Sequence, residues 1–378
     1  MQSKLPDVGT TIFAIMSKMA VDNNAINLSQ GFPDFPLDST LVNLVNSAMQ
    51  DGYNQYAPMP GLPALRQVIA QVIQNTYQKS VEAETEITVT AGGTQALFAI
   101  LQALVHPGDE VIVFDPAYDS YNPAIRLSGG VPVHINLKAP SFNIDWEEVE
   151  SKITGRTKII MVNTPHNPSG AVFSEKDIQE LERIALQHNL IVLSDEVYER
   201  IIFDDKKHYS VLERPALANN SIAVFSFGKT FHATGWKTGY VVAPPALTKE
   251  IRKAHQFIVF SVNTPIQVAL AEYMKTPEHY NSLGKFYQQK RDQFLSYIKG
   301  SSLQPLNCYG SYFQLLSYEG ISKQADMAMA EELTIKHKVA SIPVSVFYQD
   351  KSDHKLLRFC FAKKDETLEK AGDILRKI

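Results

Sequence analysis

The sequence predicts an α/β fold, a mainly parallel central sheet covered by helices, with a smaller α+β domain beside it. Three observations carry that reading. Between residues 85 and 245 short β-rich runs recur: "EITVT", "EVIVF", "KIIMV", "LIVLS", "IAVFS" and "GYVVA". They are nearly continuous apolar runs, as in strands covered on both faces. Helical patterns such as "TQALFAILQALV" and "EKDIQELERIALQHN" separate several of them, and such alternation implies a layered sheet. From about residue 250 long amphipathic stretches precede "SYFQLLSY", "VASIP", "LLRFCFA" and a last helix "DETLEKAGDILRKI".

Taken in order, residues 1–40 have no place in the repeating pattern and are expected to pack with the small domain or on another subunit. Residues 41–280 form the expected large domain and 281–378 the small one. In an open α/β sheet the ligand crevice lies beyond the carboxyl ends of the strands, so chemistry is expected just after each one. After "EITVT" comes Ala91-Gly92-Gly93-Thr94-Gln95 and then a helix. This is either a phosphate cradle of free amides at a helix N-terminus or a plain turn with Thr94 as N-cap. After "KIIMV" the loop "NTPHNPSG" is rich in proline and asparagine. It is an ordinary turn or a rigid support that aims Asn167 at a ligand.

After "LIVLS" come Asp195 and, three residues on, Tyr198. Asp195 is either a helix N-cap or a carboxylate held in the crevice. After "IAVFS" comes Lys229, and Lys237 eight residues later. Alone, Lys229 reads as surface decoration. In one crevice with Asp195, Asn167 and the glycine turn, a partly desolvated lysine becomes an amine that can form a Schiff base with an aldehyde, and Lys237 a second cation for a phosphate. In "KLLRFCFAKK" Arg358 lies within an apolar strand. It is an edge residue facing water, or a guanidinium fork waiting for a carboxylate.

Bulk properties bound the rest. The 378 residues suggest two domains on the usual ~150-residue prior. Hydrophobic content is 44%, charged content 20% and formal charge −4, which fits an ordinary soluble enzyme and implies no nucleic-acid partner. Cys308 and Cys360 stand apart with no CxxC, arguing against a disulfide scaffold and a zinc ribbon. No signal peptide or ~18-residue apolar span is read, no metal site is expected, and the expected address is cytoplasmic.

A Schiff-base lysine, an acidic partner for a ring nitrogen, a phosphate cradle and a carboxylate-binding arginine are together what pyridoxal phosphate requires. The chain resembles the class I/II aminotransferases of fold type I, and within them the methionine, glutamine and kynurenine aminotransferase branch. The motifs "LSQGFPDFP", "NQYAPMPGLPALR", "AGGTQALF", "DPAYDSY", "NTPHNPSG", "SDEVYE", "SFGKTFHATGWKTGY" and "RFCFAKKDETL" carry the resemblance over essentially the whole chain. It implies pyridoxal 5'-phosphate as cofactor and a ping-pong aldimine/ketimine transfer of an amino group to a 2-oxo acid. Lys229 matches the Schiff-base and proton-shuttling lysine, Asp195 the partner of the pyridine nitrogen, and Asn167 and Tyr198 the pair on the ring hydroxyl. Tyr118 matches the stacking aromatic; Gly93, Thr94, Gln95, Ser226 and Lys237 match the phosphate site. Arg358 matches the carboxylate clamp and Gly31 a backbone contact near it.

The resemblance further implies a homodimer in which Tyr56 reaches the partner's cofactor phosphate. Phe13, Tyr56, Tyr118 and Phe260 are expected to shape the side-chain pocket. Many relatives carry arginine where this chain has Lys237, a point charge without the bidentate fork. Dicarboxylate-selective relatives bring a distal arginine across the interface, and "QFIVFSVNTPIQ" contains none. Methionine, aromatic amino acids or glutamine are therefore expected donors over aspartate. The alternatives are a carbon–sulfur β-lyase on the same scaffold, and a regulator with an aminotransferase-like sensor. The latter needs a DNA-binding module that this sequence does not suggest.

Overall fold

The structure is a computed structural model and describes residues 2–378. Its strands are β1 (Ile26–Asn27), β2 (Ile87–Thr90), β3 (Glu110–Asp115), β4 (Val131–Asn136), β5 (Thr157–Asn163), β6 (Ile191–Asp195), β7 (Ser221–Ser226), β8 (Gly239–Val242), β9 (Gln304–Pro305), β10 (Phe313–Ser317), β11 (Val339–Ala340), β12 (Ile342–Pro343) and β13 (Leu356–Cys360). A seven-stranded sheet runs in the order β2-β8-β7-β6-β5-β3-β4. Its pairs are parallel except those of β8, which is antiparallel to both neighbours.

The continuous apolar runs are explained by burial on both faces. Every residue of β2, β3 and β8 is buried, and β5, β6 and β7 nearly so. The run "VPVHIN" (β4), at one edge of the sheet, escapes the sequence pattern because it is half exposed, with only Ile135 buried. Pro132 is tolerated there, where no central ladder needs its amide. Helices cover the sheet with amphipathic faces. In Glu175–Gln187 the buried stripe is Ile178, Leu181, Ile184 and Ala185, and a capping box closes its start: the Ser174 hydroxyl accepts from the Asp177 amide and the Asp177 carboxylate from the Ser174 amide.

The carboxyl ends of β5, β6 and β7 fall side by side. Asn163 pairs with Asp195, and Asp195 with Val224 two residues short of Ser226. Beyond that edge sits an antiparallel four-stranded sheet, β12-β13-β10-β9. The last helix, Asp365–Leu375, packs on Leu283–Tyr297. A Cβ at Gly372 would lie 2.3 Å from Tyr297 Cβ, so glycine is what permits the approach.

The N-terminal stretch joins this second part. β1 pairs in parallel with β11, and the helix Ile12–Asp22 lies against the helix Asp326–Ile335 and β11. Among the described residues no helix is long and apolar enough to cross a membrane.

Candidate active site

A cavity of about 220 Å³ opens at the carboxyl edge of the large sheet. It is lined by Phe13, Gly31, Gly93, Thr94, Tyr118, Asn167, Asp195, Tyr198, Ser226, Lys229, Lys237 and Arg358. The crevice rule for α/β sheets thus locates it, and residues more than 300 positions apart meet in one place.

Asp195 is the last residue of β6 and is buried. Turns rather than a helix follow it, so the N-cap alternative falls away. Its carboxylate accepts from the Tyr121 hydroxyl at 2.6 Å and from the Val197 amide at 3.3 Å. Burial nevertheless raises its pKa to about 6, because desolvation outweighs these hydrogen bonds.

β7 stops at Ser226, and a single helical turn, Phe227–Thr230, presents Lys229. Gly228 makes that turn possible: a Cβ there would stand 3.1 Å from Thr234 Cα and 3.3 Å from the Ala233 carbonyl. The Lys229 amine donates to the Tyr312 hydroxyl at 2.8 Å. Tyr312 in turn donates to the Gly31 carbonyl at 2.6 Å. Desolvation lowers the Lys229 pKa to about 8, and the nearby charge of Lys237 acts in the same direction.

The helix Gly93–Leu104 starts at the cavity. Its N-cap is Gly92, at φ +82°, with no side-chain cap, so Thr94 is not the N-cap. Its first-turn amides have no capping side chain and remain available to an anion. Gly239 lets the neighbouring chain close in, since a Cβ would meet the Phe225 carbonyl at 2.5 Å and Gly93 N at 3.3 Å. The Thr94 and Tyr118 hydroxyls stand 3.4 Å apart. Gln95 departs from expectation: its side chain accepts from the Ala91 amide and reaches the His255 ring at 3.2 Å, outside the cavity. At the third helical position it offers its backbone amide to this end, while the side chain braces the turn.

Arg358 lies on β13, flanked by β12 and β10, and is 1% exposed. It is therefore not an edge residue facing water. Nη1 donates to Asn167 Oδ1 at 3.0 Å and Nη2 to the Ser29 carbonyl at 3.1 Å. Nε has no acceptor among the described residues. The guanidinium lies 3.9 Å from the Phe313 ring centroid, with Phe13 at 5.2 Å and Phe347 at 5.3 Å. Burial brings its pKa down to about 10. A Cβ on Gly31 would strike Phe313 Cζ at 2.6 Å, so the loop passes this ring only as glycine.

Tyr56 and Phe260 do not join the cavity of their own chain. They pack edge to face, 5.3 Å apart, and are 81% and 52% exposed. Their loops are tied together elsewhere: Ser261 Oγ donates to the Ala57 carbonyl and Thr264 Oγ1 to that of Gln55. Sequence reasoning missed Tyr121, Tyr312, Asn163 and Phe313, all of which shape the site. Asn163 holds the Asn167 amide through Oδ1 and the Asp195 carbonyl through Nδ2. Tyr121 had a usable signal, three residues past Tyr118 in "DPAYDSY"; Tyr312, before a buried strand, had none.

Known proteins resemble the chain over essentially its whole length. The family described as aminotransferase class I and II matches residues 23–375. A methionine aminotransferase of Escherichia coli is 50% identical over 378 residues, covering all of this chain and 98% of its own. Kynurenine–oxoglutarate transaminase 3 of Rattus norvegicus is 35% identical, covering 99% of this chain and 89% of its own. A crystal structure from E. coli, reported to identify a methionine aminotransferase function, superposes with a TM-score of 0.98. It is 49% identical and covers 100% of this chain and 99% of its own.

Proposed function

This chain belongs to the class I and II aminotransferases, and from that premise we propose that it takes amino groups from methionine, aromatic amino acids or glutamine. It is a pyridoxal-phosphate-dependent transaminase of fold type I. The observation that carries the site assignment is the buried Arg358. Its guanidinium borders the cavity among aromatic rings, with no carboxylate paired to it among the described residues, which suits an incoming one, while a half-buried lysine and a buried aspartate lie in the same cavity.

The residues present fit the cofactor. Uncapped amides at Gly93, Thr94 and Gln95, with Ser226 and Lys237, would hold the phosphate. Asp195, steadied by Tyr121, would face the ring nitrogen; Tyr118 would cover the ring. Asn167 uses Oδ1 on Arg358, which leaves its Nδ2 to donate toward the ring hydroxyl beside Tyr198. When bound, pyridoxal phosphate supplies an aldehyde that condenses with amines and a ring that withdraws electrons from the adjacent carbon.

The protein supplies the rest. Lys229, with a pKa near 8, is neutral in a useful fraction of molecules at physiological pH and can attack or take a proton from the substrate Cα. Arg358 fixes the α-carboxylate, which orients the Cα–H bond. Phe13, Phe313 and Phe347 keep water from the guanidinium, so the ion pair forms in a low dielectric.

The donor preference rests on the aromatic walls and on the lack of a second arginine in "QFIVFSVNTPIQ". A buried second carboxylate without a partner costs several kcal/mol. The division into segments 1–40, 41–280 and 281–378 is part of the same reading, supported by the two sheets and the β1–β11 pairing. So are a homodimer with Tyr56 and Phe260 completing the partner's site, and a cytoplasmic address, which the free buried Cys308 and Cys360 suit. A panel of amino acids against several 2-oxo acids, read by cofactor absorbance in half-reactions, tests the proposal. Aspartate as the best donor by kcat/KM refutes the donor class. Ammonia and pyruvate from cystathionine without an oxo acid acceptor would assign the β-lyase instead.

A further inference from the structure

We propose that Tyr312 is the positioning residue for the free amine of Lys229, a docking point where that amine rests whenever it is not covalently engaged. The inference rests on the reading of Lys229 as the lysine that captures the cofactor. It adds a residue that neither the motifs nor the phosphate, ring and carboxylate contacts assign.

The direction of the hydrogen bonds carries the argument. A phenol has one proton to give. Tyr312 gives it to the Gly31 carbonyl, 2.6 Å away, so toward Lys229, at 2.8 Å, it acts as acceptor. The amine is therefore the donor at that contact, whether charged or neutral. A neutral amine docked this way keeps its lone pair, which is what attack on an aldehyde or removal of a proton requires.

The hydroxyl is held in place from every side. Tyr312 is fully buried. Its ring packs edge to face on Tyr198 at 5.1 Å and on Phe313 at 4.9 Å, and lies 5.7 Å from Tyr287. Lys229 Nζ also lies 5.5 Å from the Tyr198 ring centroid, and the Tyr312 oxygen is its hydrogen-bonding partner among the described residues. Gly31 completes the chain. It borders the cavity on the Arg358 side, so one phenol links the reacting amine to the loop beside the substrate carboxylate.

An acceptor on a titrating amine favours its charged form. Loss of the Tyr312 oxygen should therefore lower the Lys229 pKa below the value of about 8 set chiefly by burial. A hydrogen bond to a charged group corresponds to about one pH unit of such a shift.

The experiment follows the capture of pyridoxal phosphate by the full-length apoprotein in stopped flow, from pH 6 to 10, by visible absorbance. Borohydride reduction and peptide mapping then identify the lysine. For wild type the capture rate should rise to a plateau with a midpoint near the Lys229 pKa. For Tyr312→Phe the midpoint should fall by about one pH unit. Tyr287→Phe loses a buried hydroxyl that bonds His232 instead, and should leave the midpoint where it is. Should Tyr312→Phe fail to fold, 3-fluorotyrosine at position 312 keeps ring and hydroxyl but accepts more weakly, so the midpoint should move the same way by a smaller amount. Coincident profiles for wild type and the altered Tyr312 overturn the inference, as does an equal shift in Tyr287→Phe. A label on any other lysine overturns the underlying assignment of Lys229 instead.

Discussion

Arg358 reaches Asn167: Nη1 donates to the side-chain oxygen at 3.0 Å, while the equally buried Nε is left without an acceptor. The contact does two things. It turns the Asn167 amide so that its NH₂ is free for the cavity, and it holds the guanidinium in one plane with a donor to spare. A buried cation with no carboxylate beside it is costly, and substrate binding removes that cost.

Arg358→Lys should therefore be far from conservative. Lysine keeps the charge and loses the fork. We expect KM for amino donors to rise by about 10²-fold, in line with loss of a buried charge-assisted pair. Reaction with a primary amine lacking a carboxylate should be largely unaffected. Steady-state kinetics with both donors decides it: an equal loss for the two would mean that Arg358 acts on the fold rather than on the carboxylate.

Lys229→Ala should retain cofactor through the phosphate and ring contacts but lose the visible absorbance of the covalent form. Transamination should fall by at least about 10³-fold, since both the nucleophile and the proton shuttle disappear. Borohydride should fix cofactor to wild type at Lys229 and leave the variant unlabelled. Stable labelling of Lys229→Ala would end the assignment.

Much of this was legible in the sequence, and the failures have physical causes. Strands buried on both faces announce themselves as continuous apolar runs, and the crevice rule then selects Asp195, Asn167 and Lys229 without any contact information. β4 was missed because it is half exposed and carries no such run, unlike β2, the other edge strand, which is buried throughout. Arg358 stayed ambiguous because its neighbours within "LLRFC" do not say whether a strand is central; that depends on β12 and β10, at other points in the chain. Tyr312 was invisible as a site residue since an aromatic beside a buried strand is ordinarily core, whereas Tyr121 stood within reach of notice beside Tyr118. Gln95 was assigned by position along a helix N-terminus, where backbone and side chain go different ways.

Asp195→Asn should stabilise the apoprotein while weakening its hold on the cofactor. Burial raises the carboxyl from its ordinary value of 3.8 to about 6. Between those values the folded state keeps a proton that the unfolded state has released, so stability falls as pH rises through this window, and the loss is complete above it. Asparagine has no such linkage. Urea unfolding of the apoproteins at pH 7.5 should favour Asp195→Asn by roughly 1–3 kcal/mol, with the gap closing at pH 4. Cofactor affinity should drop at the same time, because the neutral amide no longer pairs with a protonated ring nitrogen. A variant no more stable than wild type at pH 7.5 would contradict the proposed balance.

The last prediction concerns Tyr56. On its own chain this tyrosine is 81% exposed, braced against Phe260, with Phe257 at 86% exposure close by in sequence. An exposed aromatic cluster of this kind calls for a cover. In the proposed homodimer a second copy related by two-fold symmetry would supply one and would bring Tyr56 to the other copy's phosphate end. Tyr56→Ala should then impair activity severely without disturbing the fold of its own subunit. Mixing Tyr56→Ala with Lys229→Ala, each nearly inactive, would form hybrid dimers. One site carries both lesions and the other carries neither, so activity should return toward about a quarter of wild type when the subunits exchange at random in equal amounts, a statistical estimate for a shared two-fold site. Exchange is verified by tagging one variant and recovering the other with it. If the subunits demonstrably exchange and no activity returns, or the active species sediments as a monomer, Tyr56 serves its own chain only.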